Sequence, residues 1–297
     1  MKRREFLIAG SAAGILGSAA LGEKQESQRE PEGKVKIFAY QGKCNRDFDK
    51  NLKKVLEITE ECGRKGADFL CFPEGYLSNY SAELAVELND PRIEKLVRFS
   101  GRFDMVSIVG VSEREGDKVL NTALVLYRGV ILGKYRKTML TGSDKKIFAH
   151  EYSLPIFQAK GIKFGVIICH DSSFVEPALV MRKKGARLLF SPHYNSISSD
   201  RMDEHRKKVR NNHIGLSTLL QMVVVRSNVV GWTEVKLGYG DSAIFSPLGE
   251  ELAAAPLFQE TLISAVFDRS VFGSESWASQ SEVPREVSEQ LCAVLLD

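Results

Sequence analysis

The amino-acid sequence predicts an α/β fold of mixed strands with helices outside them. Two observations predict it. A strand, a helix and a second strand follow one another between Lys34 and Pro73. Strands and helices then alternate again in 161–231. This alternation is typical of α/β domains.

The first unit follows from hydrophobic spacing. Residues 34–40, KVKIFAY, alternate as a strand does, and 67–75, ADFLCFPEG, predict a short buried strand that Pro73 stops. Between them a helix places its less polar residues on one face, and Gly63 or Gly66 can end it. That face carries Phe48, Leu52, Val55, Thr59 and Cys62.

Later elements follow from the same patterns. A polar helical stretch is predicted at 81–102, and a hairpin turns at Arg128-Gly129. The helix in 174–186 tolerates Pro177 only in its first turn. Further strands are predicted in 105–113, 161–169, 186–193, 221–231, 241–255 and 260–268, and another helix in 201–220.

Composition bounds the class of protein. The chain has 297 residues, 43% hydrophobic and 27% charged, which suffices for one large domain with a full core. A formal charge of +3 is nearly neutral and gives no reason to expect nucleic acid or an anionic membrane as partner. We expect one domain over 34–270 and a polar tail over 271–297, weakly helical at its end, that packs on a partner subunit.

The N-terminus has the order of an export signal. Basic residues (Lys2, Arg3, Arg4) precede a mildly apolar stretch that ends in small residues. We expect residues 1–22 to be a twin-arginine-type signal peptide and 23–33 a linker. The mature protein is then periplasmic or otherwise extracytoplasmic, without stable membrane insertion after processing. The alternative is a disordered or amphipathic N-terminus.

The five cysteines show no metal-like or redox-like spacing, so neither a metal site nor a disulfide is expected. They are Cys44, Cys62, Cys71, Cys169 and Cys292.

Three predicted strand ends carry a reactive side chain: Glu74, Lys137 and Cys169. Loops at the carboxyl ends of strands can converge on one point in α/β sheets. A thiol there can be a nucleophile, a carboxylate can take its proton, and an ammonium can stabilise an oxyanion. Taken alone, each residue could instead be a buried thiol, a turn cap or a surface lysine.

FPEG (72–75), YRK (135–137) and GVIICHDSSFVE (165–176) resemble, in this order, the three signature segments of the nitrilase superfamily, the carbon–nitrogen hydrolases. The resemblance covers about residues 34–270. It implies a four-layer α-β-β-α sandwich, assembly into homodimers or larger homo-oligomers, and a Glu-Lys-Cys triad that needs no cofactor.

Carried over by position, the resemblance makes Glu74 the general base, Lys137 the transition-state stabiliser and Cys169 the nucleophile. His170 would offer its backbone N–H to the oxyanion, and Glu151 is the candidate for the family's second glutamate. The implied reaction is hydrolysis of an amide or N-carbamoyl bond through a thioester, releasing ammonia or an amine.

The substrate is less well defined. Ser173 stands where many carbamoyl-amino-acid hydrolases of the family carry an arginine that holds a carboxylate. Cys-His-Asp is closer to the amidase-like motif than to the Cys-Trp-Glu of nitrilases. Nitrile hydrolysis, acyl transfer and a non-catalytic binding protein are the alternatives. Candidate pocket residues are Tyr76, Tyr80, Ser173, His193 and Tyr194, although His193 could equally be a loop histidine satisfied by hydrogen bonds.

Overall fold

Two β-sheets pack face to face, and helices cover their outer faces. The computed structural model describes residues 33–232, 236–273 and 284–296. One sheet has nine strands and the other six. Helices α1 (Phe48–Arg64) and α2 (Pro91–Ser100) lie on the larger sheet, and α3 (Glu176–Lys183) and α4 (Met202–Leu220) on the smaller. The predicted four-layer α-β-β-α sandwich is confirmed.

The strands are named in chain order. They are β1 Lys34–Lys43, β2 Phe69–Cys71, β3 Val106–Glu115, β4 Lys118–Tyr127, β5 Val130–Arg136, β6 Phe157–Ala159, β7 Ile162–Val166, β8 Leu188–Pro192, β9 Ser196–Ile197, β10 Val223–Ser227, β11 Val229–Trp232, β12 Leu237–Tyr239, β13 Ala243–Phe245, β14 Glu251–Ala254 and β15 Thr261–Asp268. A fifth helix, α5, spans Arg285–Leu296.

Parallel pairing lies at the centre of both sheets. The larger sheet runs β5-β4-β3-β2-β1-β11-β12-β9, with β15 also paired to β1. The smaller runs β14-β13-β10-β8-β7-β6. Strands β1, β2 and β3 are mutually parallel, as are β7, β8 and β10. Several carboxyl strand ends of each sheet therefore point the same way, which is where loops can converge.

Helix α1 shows how the sequence builds the outer layer. The Asp47 side chain accepts hydrogen bonds from the backbone N–H groups of Asp49 and Lys50, which caps the helix start. All five residues predicted for its apolar face are buried. Asn51 joins them, and its amide donates to the Asn45 and Leu77 carbonyls. That satisfied polar group holds the turn after Glu74 against the helix.

The inner faces of the two sheets form one hydrophobic layer. Phe69 of β2 lies 5.5 Å from the ring of Phe164 in β7 and 5.7 Å from Phe190 in β8, measured between ring centroids. All three rings are fully buried. Burying an aromatic side chain contributes about 1.5–3 kcal/mol, so these contacts help fix how the sheets sit on each other.

One predicted element is shorter than expected. The polar stretch 81–102 is helical only over α2, because Pro91 takes the first position and Asp90 accepts from the Arg92 backbone N–H. The residues before it form turns and an isolated bridge.

Several N- and C-terminal predictions lie outside the described residues. These are the signal in 1–22, all of the linker except Gly33, and residues 274–283 and 297 of the tail. The predicted helical end of the tail is present as α5, whereas its packing on a partner subunit stays a prediction. No helix in 33–232, 236–273 or 284–296 is long and apolar enough to cross a membrane.

A close backbone approach positions the segment that carries Glu74. Phe72 donates its backbone N–H to the Ile108 carbonyl at 2.9 Å, and Leu77 donates to the Gly110 carbonyl at 3.0 Å. A Cβ atom added at Gly110 would stand 2.6 Å from the Pro73 carbonyl oxygen and clash with the Gly75 nitrogen. Only glycine lets β3 lie so close to this turn.

We therefore expect Gly110→Ala to lower the free energy of unfolding by about 1–3 kcal/mol, the usual cost of overpacking. Urea denaturation measures it. Gly215→Ala is the matched control, because nothing lies within 4 Å of its added Cβ. In helix α4 that change should stabilise by up to about 1 kcal/mol. Equal stability of the two variants would contradict the steric argument.

Candidate active site

Strand ends from both sheets surround one cavity of about 360 Å³. Glu74 follows β2, Lys137 follows β5 and Cys169 follows β7, and all three line it. Residues after β8 and along α4 complete the wall. The other lining residues are Tyr80, Thr141, Ser143, Asp144, His170, Ser172, Ser173, His193, Tyr194, Asn195, Ser196, His205, Val209 and Lys236.

Glu74 and Lys137 form a buried ion pair. Lys137 Nζ lies 2.8 Å from Glu74 Oε1, with side chains only 2% and 1% exposed. Asn121 Nδ2 donates to the same oxygen at 2.8 Å, and the Tyr194 backbone N–H donates to Oε2 at 2.7 Å. Buried charges are costly unless paired and hydrogen-bonded. Both oxygens of Glu74 meet that condition.

A second carboxylate, Asp144, also contacts Lys137. Its Oδ2 lies 2.8 Å from Nζ and accepts the Thr141 backbone N–H at 2.9 Å, while Tyr80 donates its hydroxyl to Oδ1. Burial, and then the charge of Glu74, raise the pKa of Asp144 to about 7. Burial opposes the charge on Lys137, but Glu74 outweighs it and the lysine pKa is raised. Lys137 is therefore held as an ammonium.

The expectation for Glu151 is corrected by this geometry. Its carboxylate accepts a hydrogen bond from Arg136 Nη1 and does not line the cavity. Successive residues along an extended chain point to opposite sides. Arg136 thus turns towards Glu113 and Glu151, while Lys137 enters the cavity. The acid beside the lysine is Asp144.

Cys169 stands on a tight turn between strand and helix. A 3₁₀ turn, Cys169–Ser173, starts at this residue, whose φ is +48°. A left-handed backbone is uncommon for residues other than glycine and costs about 1–2 kcal/mol. Asp171 holds the turn: Oδ2 accepts from the Ile168 N–H at 2.8 Å, and Oδ1 accepts from the Met139 N–H at 2.7 Å. One carboxylate thus ties the cysteine turn to the loop after Lys137.

The charges of the site act on the Cys169 thiol in opposite directions. Burial first, then the negative charge of Glu74, raise the pKa of the thiol, while Lys137 and the Tyr194 backbone N–H lower it. The net shift is upward, so the resting thiol keeps its proton at neutral pH. A nucleophilic role needs a base, and Glu74 is a buried carboxylate lining the same cavity.

His170 and Ser173 line the cavity beside the cysteine. Burial, then the charge of Lys137, lower the pKa of His170. Its ring lies edge-on to Phe174 at 5.3 Å between centroids. The part predicted for the His170 backbone N–H stays a prediction. Ser173 is exposed. Its hydroxyl stands at the position where the motif resemblance places an arginine in many carbamoyl-amino-acid hydrolases.

Two of the tyrosines considered for the pocket, Tyr80 and Tyr194, line the cavity. The rings of Tyr80 and Tyr194 stack with centroids 5.1 Å apart, and Tyr194 donates its hydroxyl to Asn79 Oδ1 at 3.0 Å. Tyr76 does not join them. It is fully buried, packs 5.7 Å from the Tyr40 ring and donates to the Lys43 carbonyl at 3.0 Å. Its assignment to the pocket is corrected, because the turn directs it into the core.

His193 fits neither interpretation completely, because its buried Nδ1 has no hydrogen-bond partner in the described part of the chain. The residue lines the cavity, yet Nε2 lies 2.9 Å from Ser191 Oγ and 3.1 Å from His213 Nε2. His213 Nδ1 must donate to the Val209 carbonyl at 2.7 Å, and burial lowers the His213 pKa to about 3. His213 is thus neutral and presents Nε2 as an acceptor. Burial also lowers the pKa of His193 far below its usual value.

No group of three His, Cys, Asp or Glu side chains suited to a metal ion occurs in the described part of the chain. All five cysteines have free thiols. Cys62 and Cys71 are buried, Cys44 and Cys169 are half-buried, and Cys292 is exposed.

Comparison with known proteins defines the class. A family model described as carbon–nitrogen hydrolase matches residues 36–274. The chain therefore belongs to the carbon–nitrogen hydrolase family, in agreement with the resemblance in its three motifs, and it is an enzyme of that class.

Particular relatives are similar over most of the chain. An N-carbamoylputrescine amidase from Arabidopsis thaliana is 28% identical over 84% of this chain and 93% of its own length. An omega-amidase from Xenopus tropicalis is 30% identical over 73% of this chain and 83% of its own. The solved carbon–nitrogen hydrolase of Helicobacter pylori G27 has the same fold, with a TM-score of 0.76 and 18% identity over 88% of this chain and 99% of that one.

The charge balance predicts an unusual effect of Glu74→Gln. Removing this negative charge should lower the pKa of Cys169, because Glu74 raises it. The variant thiol should react with iodoacetamide at lower pH than the wild-type thiol, while hydrolysis is lost with the base. Peptide mass spectrometry of Cys169 across a pH series measures the first effect.

Glu151→Gln is the matched control, since its carboxylate lies on Arg136 outside the cavity. It should leave the alkylation profile in place. A profile for Glu74→Gln that is unchanged or moved to higher pH would contradict the assigned electrostatics.

Proposed function

We propose that the protein hydrolyses a non-peptide C–N bond, in an amide or an N-carbamoyl group, through a thioester on Cys169. The observation that carries the proposal is the buried Glu74–Lys137 ion pair, which shares one cavity with the cysteine. A thiol, a carboxylate and a fixed ammonium are the groups that stepwise acyl transfer to water requires.

In the first half of the reaction Glu74 takes the proton of Cys169 and the sulfur attacks the carbonyl carbon. The developing oxyanion is stabilised by Lys137 and the backbone N–H of His170. Glu74 returns the proton to the nitrogen, and ammonia or an amine leaves. In the second half Glu74 activates water, which attacks the thioester and releases the acid and the free thiol. The proton cycles through one carboxylate and no outside reactant besides water is needed.

The held ammonium suits this scheme. Lys137 stays charged because the carboxylate of Glu74 neighbours it, so it stabilises negative charge without first being reorganised. It also favours the thiolate over the thiol. The relatives named as an N-carbamoylputrescine amidase and an omega-amidase support amide or carbamoyl substrates over nitriles.

Two further expectations enter as proposals. The twin arginines and the small residues of 1–22 support export to the periplasm or another extracytoplasmic site. The motif resemblance supports assembly into a homodimer or larger homo-oligomer.

A screen for ammonia release tests the function directly. The mature protein is assayed with aliphatic amides, ω-amides, carbamoyl amines and nitriles, with Cys169→Ala as the blank. We expect release from at least one amide or carbamoyl amine, and none by the variant. The variant's circular dichroism should match the wild type, because the sulfur is lost at a half-buried position and Asn195, which contacts it, keeps its hydrogen bond to Arg226.

Turnover by Cys169→Ala, or wild-type release from nitriles alone, would contradict the proposal.

A further inference from the structure

The sulfur of Cys169 has a side-chain neighbour that the mechanism above does not use. Asn195 Nδ2 lies 3.4 Å from Cys169 Sγ, within hydrogen-bonding distance for sulfur. Asn195 lines the cavity but is only 7% exposed. Its backbone N–H donates to Asn228 Oδ1 at 2.9 Å. The main chain of Asn195 is therefore fixed independently of its side chain.

The opposite end of the Asn195 amide is held by donors. Arg226 Nη2 donates to Asn195 Oδ1 at 2.9 Å, and the Tyr239 hydroxyl lies 3.4 Å from the same oxygen. A guanidinium has only donors, so the group facing it must be the carbonyl oxygen. That requirement sets the orientation of the amide and turns its NH₂ towards the sulfur.

Arg226 is itself buried and hydrogen-bonded through both terminal nitrogens of its guanidinium. It is 1% exposed, and Nη1 donates to the backbone carbonyls of Gly240 and Asp241. Asp241 has φ of +66° and 2% exposure, and its Oδ2 lies 3.4 Å from Nη1. Its Oδ1 accepts from Arg206 Nε at 2.9 Å and Arg210 Nη1 at 2.8 Å. A buried charge held by several partners makes a rigid support.

We propose that Asn195 donates a hydrogen bond to the Cys169 thiolate and that Arg226 is the positioning residue that orients this donor. The proposal rests on the proposed role of Cys169 as nucleophile. Arg226 acts through the Asn195 amide, which it contacts directly. Its positive charge also polarises the amide, so the N–H groups that face the sulfur become better donors.

A hydrogen bond from Asn195 stabilises the thiolate form of Cys169 in surroundings whose net effect favours the thiol form. Burial and the carboxylates of Glu74 and Asp144 disfavour the thiolate, and Lys137 and the Tyr194 N–H favour it. The nearby imidazoles of His170, His193 and His205 all have lowered pKa values, so they add no positive charge near neutral pH. Tyr239 has its pKa raised to about 12 and stays neutral. The Asn195 amide is a neutral side-chain donor within hydrogen-bonding distance of the sulfur.

The test measures the thiol itself and needs no substrate. Iodoacetamide alkylation of the Cys169 peptide is followed by mass spectrometry from pH 6 to pH 11 in the full-length protein. The variants are Asn195→Ala, Asn195→Asp, Arg226→Gln, Arg226→Lys and the double variant Asn195→Ala/Arg226→Gln. Asn195→Asp keeps the acceptor for Arg226, so the support stays satisfied while the donor is lost. Arg206→Gln is the matched control, because it removes a different guanidinium from the same Asp241.

We expect the alkylation profile of Asn195→Ala to move up by about one pH unit, or about tenfold in rate at a fixed lower pH, the size of one hydrogen bond to a charged group. Asn195→Asp should move the profile the same way. Arg226→Gln should reproduce the Asn195→Ala shift, and the double variant should add nothing to it. Arg226→Lys should give a smaller shift than Arg226→Gln, because lysine keeps the positive charge. Arg206→Gln should leave the alkylation profile unchanged.

Unchanged profiles in both Asn195 variants would overturn the donor. A shift in the Asn195 variants without one in Arg226→Gln, or additive shifts in the double variant, would overturn the positioning role. If Arg226→Gln does not fold, Arg226→Lys decides: a shift smaller than that of Asn195→Ala supports the role, and none overturns it. Ammonia release is measured separately, so failure of the hydrolase proposal leaves these outcomes readable.

Discussion

The ion pair between Glu74 and Lys137 is the interaction on which the rest of the site depends. Both side chains are almost entirely excluded from water, where an unpaired charge is costly. The structure meets that cost with donors from distant parts of the chain, Asn121 on β4 and the Tyr194 backbone after β8. Tyr194 lies in the loop that connects β8 of the smaller sheet to β9 of the larger one. The hydrogen bonds of the ion pair are therefore complete only when the two sheets pack together.

The positions of the turns around the site are in turn fixed by hydrogen bonds and close backbone packing. Asp171 joins the cysteine turn to the loop after Lys137, and its Oδ2 also accepts the Tyr135 hydroxyl at 2.7 Å. Gly110 lets β3 contact the turn around Glu74 without a side chain between them. The strained backbone of Cys169 is tolerated because this surrounding network fixes it. Hydrogen-bonded turns at the strand ends thus hold a base, a cation and a sulfur in one cavity.

Local patterns in the sequence were enough to predict an α/β fold and three strand ends that carry reactive side chains, whereas the four layers followed from the resemblance of the motifs to a known family. Hydrophobic spacing is a property of neighbouring residues, so α1 and the hairpin at Arg128-Gly129 formed as expected. Site residues that were predicted only from their closeness in sequence to the motifs were less accurate. Tyr76 lies in the core and Glu151 pairs with Arg136, while Asp144 takes the place beside Lys137. Which side of a turn faces the cavity depends on contacts between sheets, and spacing along the chain does not encode them.

The central claim is that the acyl group of the substrate is bound covalently to Cys169 as a thioester before water releases it. Partitioning between water and hydroxylamine tests it most directly, using amides that share an acyl group but differ in the amine that leaves. The amine has already left when the thioester reacts, and every amide in the series gives the same thioester. The ratio of hydroxamate to acid should therefore be the same for all of them. A ratio that changes with the leaving amine would mean that water and hydroxylamine attack the amide itself, and the covalent account would be wrong.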